Sequence, residues 1–311
     1  MELVLPPSRP HDRVTVRAPA KLNLSLSVGR LRPDGFHDLT TVYQAVGVYD
    51  DVVVRRADEL SVTVEGRGAE DVPRDATNLA VRAVALAAAT SGADPRVAVH
   101  IRKGIPVAGG CAGGSADAAA ALVGCDALWG TGLGRAELHE LAAQLGADVP
   151  FSLHGGTALG TGRGEQLTEV LEQGSYSWVL ALAAEGLSTP AVFAELDRQR
   201  ESGSLGAAAQ PDEVLSALRQ GDAVALGRAL GNDLEPAALA LRPALAPVLD
   251  AARTLGALGA VVSGSGPTVA VLARDDAHAG ALAASLASLG IGTTLLRADG
   301  PVPGARVVAA A

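Results

Sequence analysis

From Lys21 to Val28 the chain alternates polar and apolar residues one by one. Lys21, Asn23, Ser25 and Ser27 fall on one side, Leu22, Leu24, Leu26 and Val28 on the other. A period of two is that of an extended strand, so the four polar side chains are expected to share one face. The strand is expected over residues 14–28, followed by a turn at Arg32-Pro33-Asp34-Gly35 and further strands at 50–55 and 60–64. The alanine-rich run 78–90 predicts a helix and the valine-rich run 96–101 a strand. A glycine-rich stretch, Gly104 to Gly114, then leads into a second alanine-rich helix over 115–128. A third helix, 135–145, stops at Gly146, which suits the C′ position, and the short loop Ala147-Asp148-Val149-Pro150 follows at once.

The composition shifts over 165–177. Beyond it the pattern predicts a strand at 178–183, three helical stretches between 190 and 255, and strands at 259–262 and 268–272 meeting at the tight turn Ser263-Gly264-Ser265-Gly266-Pro267. A helix at 277–289 and a last strand at 292–297 close the series, an order that resembles a ferredoxin-like layer in an α+β arrangement. At 311 residues the chain suits two domains, expected at 1–170 and 171–311. No internal repeat is apparent.

Net charge removes several classes of function. The formal charge is -9, with acids spread along the chain and no basic stripe of the kind that grips nucleic acid. Nor is there a basic amphipathic run for a membrane surface, and no apolar run approaches the roughly 20 residues that span a bilayer. Residues 1–13 carry prolines and charges without a continuous apolar stretch, so no secretory signal is expected and the cytoplasm is the default. The two cysteines, Cys111 and Cys125, are too few for a disulfide framework or a zinc site and are expected as buried small hydrophobes. His11, His100, His139, His154 and His278 show no metal spacing.

The segment Gly104–Asp117, GIPVAGGCAGGSAD, carries the sharpest chemical signal. Glycines between a strand and a helix let the backbone approach a ligand closely, and the free N–H groups of the first helical turn face the loop. That is a phosphate cradle. It is not a Walker A motif, because Gly114 is followed by Ser115-Ala116 rather than Lys-Ser/Thr, and no glycine spacing fits the dinucleotide fingerprint. Asp148, on a stiff loop just past a helix end, serves by position alone equally as an ordinary turn aspartate or as a general base. A lysine on an extended face is ordinarily a solvated charge, yet the polar neighbours of Lys21 describe a wet or ligand-lined face. A cation there could hold a carboxylate ionised or offset charge on a moving phosphoryl group.

Three stretches, in order and spacing, resemble the GHMP kinases: Ala18-Pro19-Ala20-Lys21-Leu22-Asn23-Leu24, then Pro106-Val107-Ala108-Gly109-Gly110-Cys111-Ala112-Gly113-Gly114-Ser115-Ala116, then Ser263-Gly264-Ser265-Gly266-Pro267-Thr268. The likeness runs over 14–272. It implies a two-domain GHMP kinase fold, with an N-terminal nucleotide-binding domain and a C-terminal ferredoxin-like domain. It also implies transfer of the γ-phosphate of ATP to an alcohol, with Lys21 and Asp148 as the catalytic pair. Whether Asp148 would abstract the proton or orient the hydroxyl stays open, because the transition state can be loose. Residues 106–116 would wrap the triphosphate, Asn78 and Lys103 would lie near the ribose and adenine, and Mg²⁺ would bridge phosphates with Ser115 as a candidate ligand.

Asp34-Gly35-Phe36-His37, Leu145-Gly146-Ala147-Asp148-Val149-Pro150 and Asn232-Asp233-Leu234-Glu235 further resemble the branch of the family whose alcohol substrate carries a cytidine diphosphate, on the non-mevalonate route to isoprenoid precursors. In that branch Phe36 and Phe193 would stack on the cytosine and His37 would hydrogen-bond it. Asn23, Gly264, Ser265, Gly266 and Thr268 would hold the rest of the substrate. The resemblance implies a monomer or weak homodimer. Ala108, Ala112, Cys111, Ala116 and Phe36 depart from the usual Gly, Gly, Leu, Ser and Tyr of relatives. The two loop alanines are expected to keep φ negative, because each carries a Cβ.

Overall fold

A computed structural model describes residues 11–107, 109–183, 185–203, 209–290 and 294–311. Ala108, the first two residues of the expected strand 292–297, and most of the lead-in 1–13 lie outside them. Strands β1 (Arg13–Leu31) and β2 (His37–Arg56) form a long antiparallel hairpin. Then come β3 (Ser61–Gly66), helix α1 (Leu79–Ser91), β4 (Val97–Lys103), α2 (Gly113–Trp129), α3 (Arg135–Leu145), α4 (Val149–His154), β5 (Thr157–Thr161) and β6 (Gln166–Glu169). The second half supplies β7 (Tyr176–Leu182), α5 (Thr189–Glu201), α6 (Pro211–Gln220), α7 (Ala223–Ala229), β8 (Gly231–Asn232), α8 (Glu235–Leu241) and α9 (Ala246–Thr254). It ends with β9 (Gly259–Val262), β10 (Val269–Ala273), α10 (Asp276–Ser288), β11 (Thr294–Gly300) and β12 (Arg306–Ala310).

The first sheet runs β12-β1-β2-β4-β3, with β5 and β6 extending from β2 and β8 touching β1. The second runs β11-β7-β10-β9, all antiparallel. Counted within that sheet, the order is fourth, first, third, second, which is the ferredoxin-like pattern of two β-α-β units. Helix α2 is buried nearly all round, which its run Ala118-Ala119-Ala120-Ala121 permits by letting strands and helices approach closely. Cys111 and Cys125 are buried free thiols, and burial pushes both up.

Three features depart from the sequence pattern. Strand β2 begins at His37, because residues 41–46 are buried on both faces and so show no alternation. Strand β12 returns from the second half to pair with β1, Val14 opposite Ala310. Gly146 ends α3 in an extended conformation, φ 173°, rather than a left-handed one.

The alternation of β1 itself is interrupted. Asn23 pairs with Tyr43 but Ser25 pairs with Val42, so Leu24 is an extra residue in the ladder. Such a bulge inverts every side chain beyond it. Leu22 and Leu24 enter the core beneath the first sheet, whereas Leu26 and Val28 join the second core with Val179 and Val271. The expected shared polar face therefore holds for Lys21 and Asn23 and fails at Ser25, whose buried hydroxyl has no hydrogen-bond partner among the described residues.

Candidate active site

The stretch around Lys21, the glycine loop and the turn Ser263–Thr268 interlock at one point. Lys21 N–H donates to the carbonyl of Cys111 at 3.2 Å, Thr268 N–H to Gly109 at 3.3 Å, and the Ser263 hydroxyl to Gly110 at 3.3 Å. Gly110 has φ 75°, and a Cβ there would run into the Ser263 carbonyl. Gly264 has φ 58°, and a Cβ would stand 3.1 Å from Asn23 Oδ1 and 3.2 Å from Lys21 Nζ. Only glycine lets the two loops close on each other and on Lys21. Asn232 locks the turn, donating through Nδ2 to the carbonyls of Val262 at 2.8 Å and Gly264 at 2.7 Å. Its neighbour Glu235 accepts from Val262 N–H at 2.9 Å.

Ala112 overturns one expectation. It is the residue before α2 and adopts φ 59°, ψ 35°, the left-handed region, despite its Cβ. The reversal needed to aim the first turn of α2 at the loop demands that conformation, and the Ala116 N–H to Ala112 carbonyl bond of 2.9 Å holds it. Ala108 lies outside the described residues.

Lys21 is buried, and its Nζ donates to Asn23 Oδ1 at 2.6 Å and stands 3.9 Å from Asp148 Oδ2. Asn23 in turn donates to Thr41 Oγ1 at 2.8 Å. Asp148 is partly open to solvent at the start of α4, and its other oxygen accepts from the Tyr43 hydroxyl at 3.1 Å. The Lys21 ammonium also lies 5.7 Å over the Tyr43 ring. Tyr43 carried no local signal: it is one of many apolar positions on β2, and only the pairing of distant segments brings it to Asp148.

Lys103 is not in the cleft. Its Nζ is buried between Asp50 Oδ2 at 2.5 Å and Asp117 Oδ2 at 2.7 Å. Asp50 Oδ1 accepts from the N–H groups of Gly104 at 2.7 Å and Ile105 at 2.9 Å. The cluster thus pins both ends of the phosphate loop to the sheet, and Asp50 and Asp117 are residues that sequence reasoning missed. Burial, chiefly, pushes Asp117 up to about 8. Asn78 is likewise engaged: it caps α1 by accepting from Ala80 N–H at 2.9 Å and donates to the Pro73 carbonyl at 2.7 Å.

A cleft of about 940 Å³ opens between the two halves. Pro106, Gly109, Gly110, Ala112, Gly113, Gly114 and Ser115 line one wall, with Lys21, Asn23 and Asp148 beside them. Gly264, Ser265 and Gly266 face them from the second half, and Phe36, His37 and Phe193 stand at the far end. His37 and Phe193 have ring centroids 5.0 Å apart, and His37 Nε2 is 3.0 Å from Asp197 Oδ1. Phe36 is half exposed, with the Arg163 guanidinium 5.2 Å over its ring. Cys111, Ala116 and Thr268 are buried behind the loop, and Val107 and Thr268 line a smaller pocket instead.

A helix N-terminus and glycine loop beside a lysine–carboxylate pair, faced by a second glycine turn across a cleft, is the arrangement of a small-molecule kinase. Residues 78–156 match the GHMP kinases N terminal domain and 214–292 the GHMP kinases C terminal domain. A 4-diphosphocytidyl-2-C-methyl-D-erythritol kinase of Nocardia farcinica is 57% identical over 295 residues, covering 95% of this chain and 96% of the relative. That of Streptomyces avermitilis is 56% identical over 295 residues, covering 95% and 99%. A crystal structure of a 4-(cytidine 5'-diphospho)-2C-methyl-D-erythritol kinase superimposes with a TM-score of 0.73 at 31% identity, over 92% of this chain and 98% of that one. A homoserine kinase from Cytophaga hutchinsonii reaches 0.76 at 20% identity over 99% and 100%, a likeness of fold alone. The chain belongs to the GHMP kinases and, among them, to the 4-diphosphocytidyl-2-C-methyl-D-erythritol kinase family.

Proposed function

We propose that this chain transfers the γ-phosphoryl group of ATP to the 2-hydroxyl of 4-diphosphocytidyl-2-C-methyl-D-erythritol, giving ADP and the 2-phosphate. The observation that carries the reading is the Lys21–Asp148 pair, 3.9 Å apart, lining the same cleft as the amides of residues 109–115. Those amides and the α2 N-terminus would hold the triphosphate. Asp148 receives the proton of the attacking hydroxyl as its oxygen bonds to phosphorus, and the bond to the ADP oxygen breaks. Lys21 balances charge on the moving group.

Mg²⁺ fits this wall through Ser115, whose half-buried hydroxyl lines the cleft. Among the described residues no cluster of three His, Cys, Asp or Glu could hold a metal. The ion supplies neutralisation of phosphate charge. Residues 1–170 form the nucleotide half in this reading and 171–311 the substrate half, with β12 completing the first sheet. Buried free thiols agree with the cytoplasm.

Coupled ADP release with the cytidyl substrate, homoserine and mevalonate as alternative acceptors tests the assignment. Only the first is expected to turn over, with Asp148→Asn slower by about 10²–10⁴ and a loss below about threefold fatal to the role of Asp148.

A further inference from the structure

Arg163 is a cation of the cleft to which no role has been given. It sits in the turn between β5 and β6, and its own N–H donates to Glu165 Oε2 at 2.7 Å, which fixes the turn. Lys21 and Arg163 are the only lysine or arginine lining the cleft among the described residues. Lys21 is committed to Asn23 and Asp148, whereas the Arg163 guanidinium makes no ion pair among the described residues and lies over Phe36.

The position of the turn is set on both sides. The Gly162 carbonyl accepts from Leu39 N–H at 2.7 Å, two residues beyond His37. On the other side Gly164 lies against the Tyr43 hydroxyl, with no room for a Cβ, and that hydroxyl donates to Asp148. The turn that carries Arg163 is thus anchored on one side beside the aromatic end of the cleft and on the other at the tyrosine that binds the carboxylate meeting the acceptor hydroxyl, with the middle stretch of the cleft between those anchors. In a substrate that joins a base to a polyol through a diphosphate, the diphosphate must occupy that middle stretch. Its double negative charge otherwise meets Asp148 and Asp197, the two carboxylates lining the cleft.

From this geometry we infer that Arg163 grips the diphosphate of the acceptor substrate and thereby selects a nucleoside diphosphate over a bare nucleoside. The planar guanidinium offers a fork of donors matched to phosphate oxygens while its face rests on Phe36. Arg163 acts on acceptor binding and not on the ATP phosphates. The inference rests on the cytidyl reading of the proposed function.

Competition against the acceptor by cytidine, CMP and CDP tests it in wild type, Arg163→Met and Arg163→Lys. Wild type is expected to bind CDP more tightly than cytidine. Arg163→Met is expected to weaken CDP about 10- to 100-fold, with cytidine and the KM for ATP unchanged, because charge-assisted bonds of this kind are lost. Arg163→Lys should recover part of the loss, since it keeps the charge without the fork. Equal weakening of cytidine and CDP, a raised KM for ATP alone, or no change in CDP affinity would each overturn the role of Arg163 while leaving the cytidyl substrate standing. If none of the three ligands competes even in wild type, the cytidyl reading itself falls, and the inference with it.

Discussion

The hydroxyl of Tyr43 donates to Asp148 Oδ1 at 3.1 Å, joining residues 105 positions apart and leaving Oδ2 on the side of Lys21. Burial first, and then the Asp148 charge, pushes the Tyr43 phenol well above its ordinary value, so it remains a donor throughout the working pH range. Phe151 stacks on its ring at 4.8 Å and holds it in place. Tyr43 is a positioning residue for Asp148. Tyr43→Phe keeps the ring and removes the bond. A fall in kcat of about tenfold is expected, with the KM for ATP unchanged. An unchanged kcat, or a KM for ATP that rises in step with the loss, would reduce Tyr43 to packing.

Ala112 carries a Cβ in the left-handed region, φ 59°. Strain of this kind costs about 1 kcal/mol or more. Ala112→Gly is expected to raise the unfolding free energy by about that amount, offset in part by the greater freedom of glycine in the unfolded chain. Denaturant titration at a constant m-value reads the difference, and the KM for ATP should hold or fall.

The Lys103 ammonium is enclosed by the buried acids Asp50 and Asp117, and Lys103→Met would leave them without their cation. A loss of about 3–5 kcal/mol is expected, as for other buried pairs deprived of one partner. Thermal or urea unfolding of the variant without nucleotide checks this. A raised KM for ATP in a variant of unaltered stability would instead place Lys103 at the nucleotide.

Asp117 shows how this cluster responds to pH. Its folded value, about 8, lies above the ordinary carboxylate range, so the folded state holds the proton more tightly than the unfolded one. The corresponding stability is complete below about pH 4 and is lost as pH rises towards 8. Asp117→Asn keeps the shape and cannot titrate. Wild type minus variant, followed by urea unfolding from pH 5 to pH 9, is therefore expected to fall with pH, about 1.4 kcal/mol per unit at the steepest. A flat difference would show that Asp117 is ionised throughout.

Some of this was legible before any fold was known. The glycine stretch, Lys21 with Asn23, Asp148, and the turn at Ser263–Pro267 are local patterns whose residue types answer local demands. The elements between 78 and 145 were readable because helical alanine runs and a valine strand need no partner to be recognised. By contrast, the bulge at Leu24 is invisible in an unbroken alternation, and it alone decides that Ser25 leaves the cleft face while Leu26 enters it. The left-handed Ala112 ran against the preference of its own residue type.

By itself the sequence determined which stretches bend, which bury, and which side chains could handle a phosphate, since those follow from short-range sterics and periodicity. Tertiary structure alone decided that Tyr43 would meet Asp148, that Lys103 would be enclosed by Asp50 and Asp117, and that Arg163 would lie over Phe36 in the cleft. The physical reason is the same in each case. A buried charge or hydroxyl is defined by its partner, and these partners come from strands and turns far apart in the chain that only the closing of the sheet brings together.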